Sequence, residues 1–231
     1  LEAKILATPC SRGMIVSDAV FSMDGDIVDL PALVELGKKY HLLTMIDEAH
    51  ATGVIGKTGH GTVEHFGNSV HPDILMGTLS KALGAEGGYA CASKVIIEYL
   101  KNKARSFIFA TSQTPATLAA ALRATEVLEE EPQRAQNLQH NVEFFLNALH
   151  TEGVEAYSPT AIIPIIIGDE KSALQVADEL LANGVLAPAI RYPTVAKGTA
   201  RLRVALMATH TEAELSQTAK LIGEAIRKYK K

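Results

Sequence analysis

Lys81 sits in the run Met76-Gly77-Thr78-Leu79-Ser80-Lys81-Ala82-Leu83-Gly84, just after an apolar stretch. Upstream, Asp47-Glu48-Ala49-His50 closes a second apolar stretch, Leu42-Leu43-Thr44-Met45-Ile46. A lysine in a semi-buried loop can lose its proton and act as an amine nucleophile. A carboxylate at the end of a buried strand can hold a protonated ring nitrogen. Taken singly, neither residue says much: a lysine after a strand is ordinarily solvated, and an aspartate there ordinarily caps a helix or forms a turn. The pair, in this order and with these neighbours, points to Schiff-base chemistry aided by an electron-withdrawing ring.

The elements that must position this pair can be read from periodicity and turn signals. Residues 14–20 read as a buried strand, followed by a turn at Ser22-Met23-Asp24-Gly25-Asp26. Asp29 and Pro31 open a helix that runs to about Tyr40. Leu42 to Ile46 is a second strand ending at Asp47, residues 73–78 a third ending at the Lys81 loop, and Tyr89 to Ala92 a fourth. Strands alternating with helices predict a mainly parallel α/β sheet. Ligands gather at the carboxyl ends of such strands, and Ser22, Asp47 and Lys81 all fall just past predicted strand ends.

From about Thr114 the texture changes. Pro115 to Glu131 is alanine-rich and helical until Pro132 interrupts it. Gln133 to His150 is helical again, with Leu138, Val142, Phe145 and Leu149 on one stripe. Ala161 to Ile167 reads as a strand. Ala173, Val176, Ala177, Leu180 and Leu181 mark a helix that Gly184 stops. Arg201 to Leu206 alternates as a strand, and Thr211-Glu212-Ala213-Glu214 is a capping box opening the last helix. The expected division is residues 1–114 as part of a large α/β domain, and 115–231 as long connecting helices with a smaller α+β domain.

The run Asp47-Glu48-Ala49-His50-Ala51-Thr52-Gly53-Val54-Ile55-Gly56, followed by Gly77 to Gly84, resembles the α-oxoamine synthases. These are fold-type I pyridoxal phosphate enzymes that condense an amino acid with an acyl-CoA and lose CO2. The similarity extends from about Gly13 to the C-terminus. It implies pyridoxal 5'-phosphate as cofactor, a fold-type I transferase large domain across residues 1–114, and a homodimer with shared active sites. The family's N-terminal region, with its phosphate-gripping loop and ring-stacking histidine, has no counterpart here, so the chain is expected to be a C-terminal fragment. Within the family the motifs favour L-alanine and a pimeloyl thioester, on CoA or a carrier protein, as in biotin biosynthesis. Condensation of glycine with acetyl-CoA is the sibling reading, and a folded, dimerising but catalytically incomplete fragment is another.

Position by position, the resemblance implies roles. Lys81 carries the Schiff base and later takes the substrate's α-proton, Asp47 pairs with the ring nitrogen, and His50 hydrogen-bonds the phenolic oxygen. Ser22 lies close to the ring, Thr78 contacts the phosphate, and Ser80 is a weaker phosphate ligand. Thr111 and Ser112 match a segment that reaches the neighbouring subunit's phosphate, although the family's usual order is Ser-Thr. Arg203 takes the amino-acid carboxylate through its guanidinium fork, with Arg191 and Thr194 at the site mouth. Arg201, on the other face of its strand, is structural, and Glu48 either supports the site residues from behind or is structural. Tyr192 stands where the family usually has proline, and His60 where arginine is common.

Bulk properties exclude several classes. The chain has 231 residues, 47% of them hydrophobic, enough for a sizeable core. A net charge of -4 without a basic patch argues against a nucleic-acid partner, and the small-molecule substrates, an amino acid and an acyl thioester, are what the resemblance implies. The basic Arg227-Lys228-Tyr229-Lys230-Lys231 suits a helix C-terminus. Two cysteines, Cys10 and Cys91, make neither a disulfide framework nor a metal ladder, and they suit a reducing, cytoplasmic location. No run approaches the ~18 apolar residues of a membrane span. Asp-Glu-Ala-His is also a helicase signature, and Ala51 to Thr58 fits a relaxed phosphate-loop pattern. Their order defeats that reading, because a phosphate loop must follow its own strand and open a helix.

Overall fold

Three short apolar strands, β1 (Met14–Asp18), β2 (Leu43–Asp47) and β3 (Ile74–Thr78), lie parallel, and β4 (Gly88–Ala92) closes the sheet antiparallel to β3 in the order β1-β2-β3-β4. The computed structural model describes residues 1–8, 10 and 12–229, so Lys230 and Lys231 of the basic C-terminal run lie outside the described residues. Around this sheet run helices α1 (Glu2–Ala7), α2 (Leu30–Tyr40), α3 (Thr62–His65), α4 (Lys94–Lys103), α5 (Arg105–Ile108) and α6 (Pro115–Glu130). The reversal at β4 follows from chain length. Residues 79–87 are too few for a parallel crossover, which needs a dozen or more.

Local chemistry sets the elements. Asp29 caps α2 by accepting from Ala32 N at 3.1 Å, and Pro31 sits in its first turn, where its missing N–H costs nothing. Leu30 and Val34 are buried, and at Gly37 an added Cβ would stand 2.5 Å from Thr44 Cγ2, so α2 lies tight on β2. In the register, Asp18 pairs with Asp47, and Asp47 with Met76. The carboxyl ends of β1, β2 and β3 therefore share one edge.

Residues 1–20 and 28–132 form one compact unit, and residues 21–27 with 133–231 form another. The division falls between Pro132 and Gln133 rather than after residue 114, so α6 goes with the first unit. The second unit holds a three-stranded antiparallel sheet, β5 (Ile162–Gly168), β6 (Ala189–Ile190) and β7 (Ala200–Ala205), in the order β5-β7-β6. Helices α7 (Gln133–Thr151), α8 (Glu170–Ala182) and α9 (Glu212–Tyr229) belong to it. Phe145, Leu149, Val176, Leu180, Leu215, Ile222, Ile163, Ile165 and Leu202 are among its buried apolar side chains. The capping box forms as read: Thr211 N donates to Glu214 Oε2 at 2.8 Å and Glu214 N to Thr211 Oγ1 at 3.3 Å.

Residues 21–27 join this second unit through specific polar contacts. Thr160 Oγ1 donates to Gly25 O at 3.0 Å, and Arg201 pairs with Asp24. Gly25 has a φ of +76° and lies against Ile162 O, where no side chain fits. Among the described residues no helix is long and apolar enough to cross a membrane.

Candidate active site

In the first unit the chain is pinned at the carboxyl end of β2. Ala19 N donates to Asp47 O at 2.8 Å, and Glu48 N to Met76 O at 2.7 Å. The half-buried Asp47 side chain accepts from Ala49 N through Oδ1 at 2.8 Å, which turns the chain. One oxygen of this carboxylate thus fixes the carboxylate's own position. Ala51 N and Thr52 N both donate to Glu48 O, at 2.9 and 3.0 Å, winding one turn that carries half-buried His50.

Glu48 points the other way. It is 4% exposed, and both carboxylate oxygens accept from Thr62 N, at 3.2 and 3.1 Å. Gly61, at φ +88°, leaves room for that carboxylate where a Cβ would collide with it. Burial pushes the Glu48 carboxyl above its ordinary range, the hydrogen bonding from Thr62 opposes this, and neighbouring Asp47 adds to it. The carboxylate therefore clasps the far end of the loop that follows β2, as its structural reading requires.

Lys81 lies in the loop between β3 and β4. Leu79 N donates to Gly87 O at 2.9 Å, Ala85 N to Leu79 O at 2.8 Å, and Gly84 N to Lys81 O at 3.0 Å. The Lys81 side chain is exposed and has no hydrogen bond or ion pair among the described residues. The loop itself is partly buried, through Leu83 and through half-buried Leu79, Ala85 and Gly87, while the lysine side chain is exposed. Thr78 Oγ1 donates to Gly87 O at 3.1 Å and lies 2.7 Å from Ser80 Oγ. Thr111 and Ser112 are exposed, and the next residue, Gln113, donates from Nε2 to Glu86 O at 2.8 Å, tying their segment to the lysine loop.

Sequence reading passed over Tyr89. Its hydroxyl lies 2.8 Å from Thr52 Oγ1, between the two loops. The one available signal was Gly77, a glycine inside a buried strand, which often marks a close approach by something else.

In the second unit, Arg203 Nε donates to Ser22 O at 2.6 Å. Ser22 is half-buried in a turn closed by Phe21 N to Asp26 O at 2.9 Å and Gly25 N to Phe21 O at 2.8 Å. Burial lowers the Arg203 pKa, yet a guanidinium stays charged in proteins. Its two terminal nitrogens make no hydrogen bond among the described residues. Arg201, two positions earlier on β7, lies on the same face as Arg203 and not on the other face as expected from the sequence, because side chains alternate with a period of two; it is 7% exposed and spent on Asp24 and Thr199 O. Arg191 and Thr194 are exposed on the turn after β6, where Thr194 N donates to Arg191 O at 3.0 Å. The sheet edge of the first unit thus gathers Asp47, His50, Thr78 and Lys81. Ser22, read from the sequence alongside Asp47 and Lys81, belongs to the second unit with Arg203.

Comparison with known proteins fits these groups. The chain is 50% identical over 210 residues to 8-amino-7-oxononanoate synthase 1 of Bacillus subtilis, covering 90% of this chain and 54% of that protein. The chain thus spans about half the length of the curated relatives it matches. A serine palmitoyltransferase from S. paucimobilis with bound PLP superposes with a TM-score of 0.91 at 26% identity, over 99% of this chain and 58% of that one. The crystal structure of 8-amino-7-oxononanoate synthase from Francisella tularensis gives 0.83 at 28% identity, over 98% and 67%. The family model for aminotransferase class I and II matches residues 1–222, and the chain belongs to that family.

Proposed function

We propose that this chain carries the lysine-bearing part of an 8-amino-7-oxononanoate synthase. That reaction joins the α-carbon of L-alanine to the carbonyl of a pimeloyl thioester, releasing the thiol and CO2. The observation that carries the reading is the meeting of an unpaired amine and an anchored carboxylate on one sheet edge: Asp47 ends β2, its register partner Met76 lies on β3, and the Lys81 loop follows. The 50% identity to the Bacillus subtilis enzyme, against 26% to the serine palmitoyltransferase, supports the alanine-using member.

The groups present suit pyridoxal 5'-phosphate: a primary amine, a fixed carboxylate, an imidazole and paired hydroxyls. The chemistry such a group supplies is an aldehyde that an amine can attack and a protonated ring that draws electrons from the substrate α-carbon. Asp47 would hold the proton at the ring nitrogen, its orientation set by Ala49 N. His50 would orient the ring through its phenolic oxygen. Lys81 Nζ would form the covalent attachment and, once displaced, accept the α-proton. Thr78 and Ser80 offer hydroxyls for the phosphate, and Ser22 would sit close to the ring. Arg203 would take the alanine carboxylate with the terminal nitrogens that Ser22 leaves open, while Arg191 and Thr194 stand at the mouth.

A homodimer with shared sites belongs to the same reading, with Thr111 and Ser112 reaching the partner's phosphate. The exposed apolar side chains Phe107, Phe109, Leu118 and Leu122 on either side of that segment support an assembly that covers them. Two exposed free cysteines support a reducing cytoplasm.

Thiol release from pimeloyl-CoA with L-alanine, set against acetyl-CoA with glycine, tests the assignment on protein purified with pyridoxal 5'-phosphate. Faster release with the first pair is expected. Faster release with the second hands the assignment to the glycine-using sibling, and no release with either pair overturns it in favour of a folded but catalytically incomplete chain.

A further inference from the structure

The lysine loop and the acidic loop meet at two points within the first unit. At Gly53, with a φ of +79°, an added Cβ would stand 2.5 Å from the Cβ of Ala82, the residue after Lys81. Thr52, the residue before Gly53, lies with its Oγ1 2.8 Å from Tyr89 Oη. Tyr89 reaches that far because of what faces it. In the antiparallel register Gly77 is opposite Tyr89, so their side-chain positions share a face of the sheet. A Cβ on Gly77 would stand 2.5 Å from Tyr89 Oη. The absence of that Cβ lets the tyrosine lie across β3 toward the loop that follows β2.

We propose that Tyr89 is a positioning residue for Lys81, acting through its hydrogen bond to Thr52. The bond ties the strand that leaves the lysine loop to the loop that carries Asp47 and His50. Ala82 on Gly53 is a steric stop alone, which keeps the loops from approaching further. The hydroxyl bridge is directional and keeps them from sliding apart. Of the other restraints on the lysine loop, Leu79 N to Gly87 O and Ala85 N to Leu79 O are internal and fix its shape, and Gln113 Nε2 to Glu86 O ties it to the segment before α6; none of the three reaches the loop that carries Asp47. Burial raises the Tyr89 pKa above its ordinary value, so the phenol stays neutral and able to share the bond at working pH.

The inference rests on Lys81 as the cofactor-bearing amine, so its test has one arm that needs no cofactor. Tyr89→Phe and Thr52→Val remove the same bond from opposite ends with little change of volume. In amide hydrogen exchange, each variant should speed exchange at Leu79, Gly84 and Ala85 by about fivefold, the equivalent of about 1 kcal/mol at 1.4 kcal/mol per decade. The double variant should do no more than either single, because one bond is lost in all three. Exchange at Ile163 and Leu202 in the second unit should not change. In the second arm, the rate of borohydride-trapped pyridoxal phosphate attachment at Lys81 should fall by a similar factor. Unchanged exchange at the three loop amides, or multiplying effects in the double variant, would overturn the proposal. Failure of the unsubstituted chain to attach the cofactor at Lys81 would instead overturn the functional reading, and the exchange arm separates the two.

Discussion

Arg203 Nε donates to the backbone carbonyl of Ser22, 2.6 Å away and on the far side of most of the chain. The bond uses the one guanidinium nitrogen that a bidentate carboxylate does not need when it binds the two terminal nitrogens. It also fixes the plane of the group, so the fork is already aimed before any anion arrives.

Arg203→Lys keeps the charge but loses both the fork and the bond to Ser22. The apparent KM for alanine should rise by roughly 10- to 150-fold, the scale of about 1.5–3 kcal/mol for hydrogen bonds to a charged group. The KM for the thioester should move little. If the thioester value moves and the alanine value does not, Arg203 serves the acyl group and Arg191 becomes the carboxylate ligand.

Asp47→Asn tests charge separately from shape. The amide oxygen can still accept from Ala49 N, so the turn survives. Turnover should drop on the order of 100-fold, the scale of losing a strong preorganised electrostatic contact, with the unfolding midpoint nearly unchanged. A drop below tenfold would mean that another group partners the ring nitrogen.

Glu48 makes a prediction about pH. Its folded pKa lies above the ordinary 4.5, because burial disfavours the charge more than Thr62 compensates. Between the unfolded and folded values the native state holds more proton than the unfolded one, so this group's contribution to stability falls as pH rises through that window. Glu48→Gln removes the titration. Compared in urea melts, the variant should gain on the parent as pH rises above about 4.5, and the gap between them should stay constant below it. A gap that does not change with pH would contradict the buried-carboxylate account.

Gly25→Ala should destabilise the second unit by at least about 2 kcal/mol. It forces a side chain into a left-handed conformation, costing about 1–2 kcal/mol, and overpacks the site by about 1–3 kcal/mol more. The Cβ would meet Ile162 O and Ser158 Oγ, neither of which can move away cheaply. Loss of alanine binding should accompany the loss of stability, since the same turn presents the Ser22 carbonyl to Arg203.

The sequence carried the strands that end at Asp47 and Thr78, the capped helices and the capping box, because each is written in periodicity or in a residue that closes a local bond. It did not carry what long-range pairing decides. Helices α4 and α5 bury no residue in this unit, so no covered stripe marks them. Residues 21–27 belong to the second unit through Asp24 with Arg201 and Gly25 with Thr160, contacts far apart in the chain and invisible to a local window. Tyr89 looked like an ordinary strand residue until the register placed Gly77 opposite it. Lys81 was read by resemblance, and its exposure, which depends on what lies over the sheet edge, could not be read from its neighbours.

The most direct test of the central claim is to incubate the chain with pyridoxal 5'-phosphate, reduce it with borohydride and map the modified peptide. The account expects an absorbance band that reduction abolishes, a single modified lysine at Lys81, and loss of both the band and turnover in Lys81→Ala. Label spread over the surface lysines, or undiminished in Lys81→Ala, would contradict it.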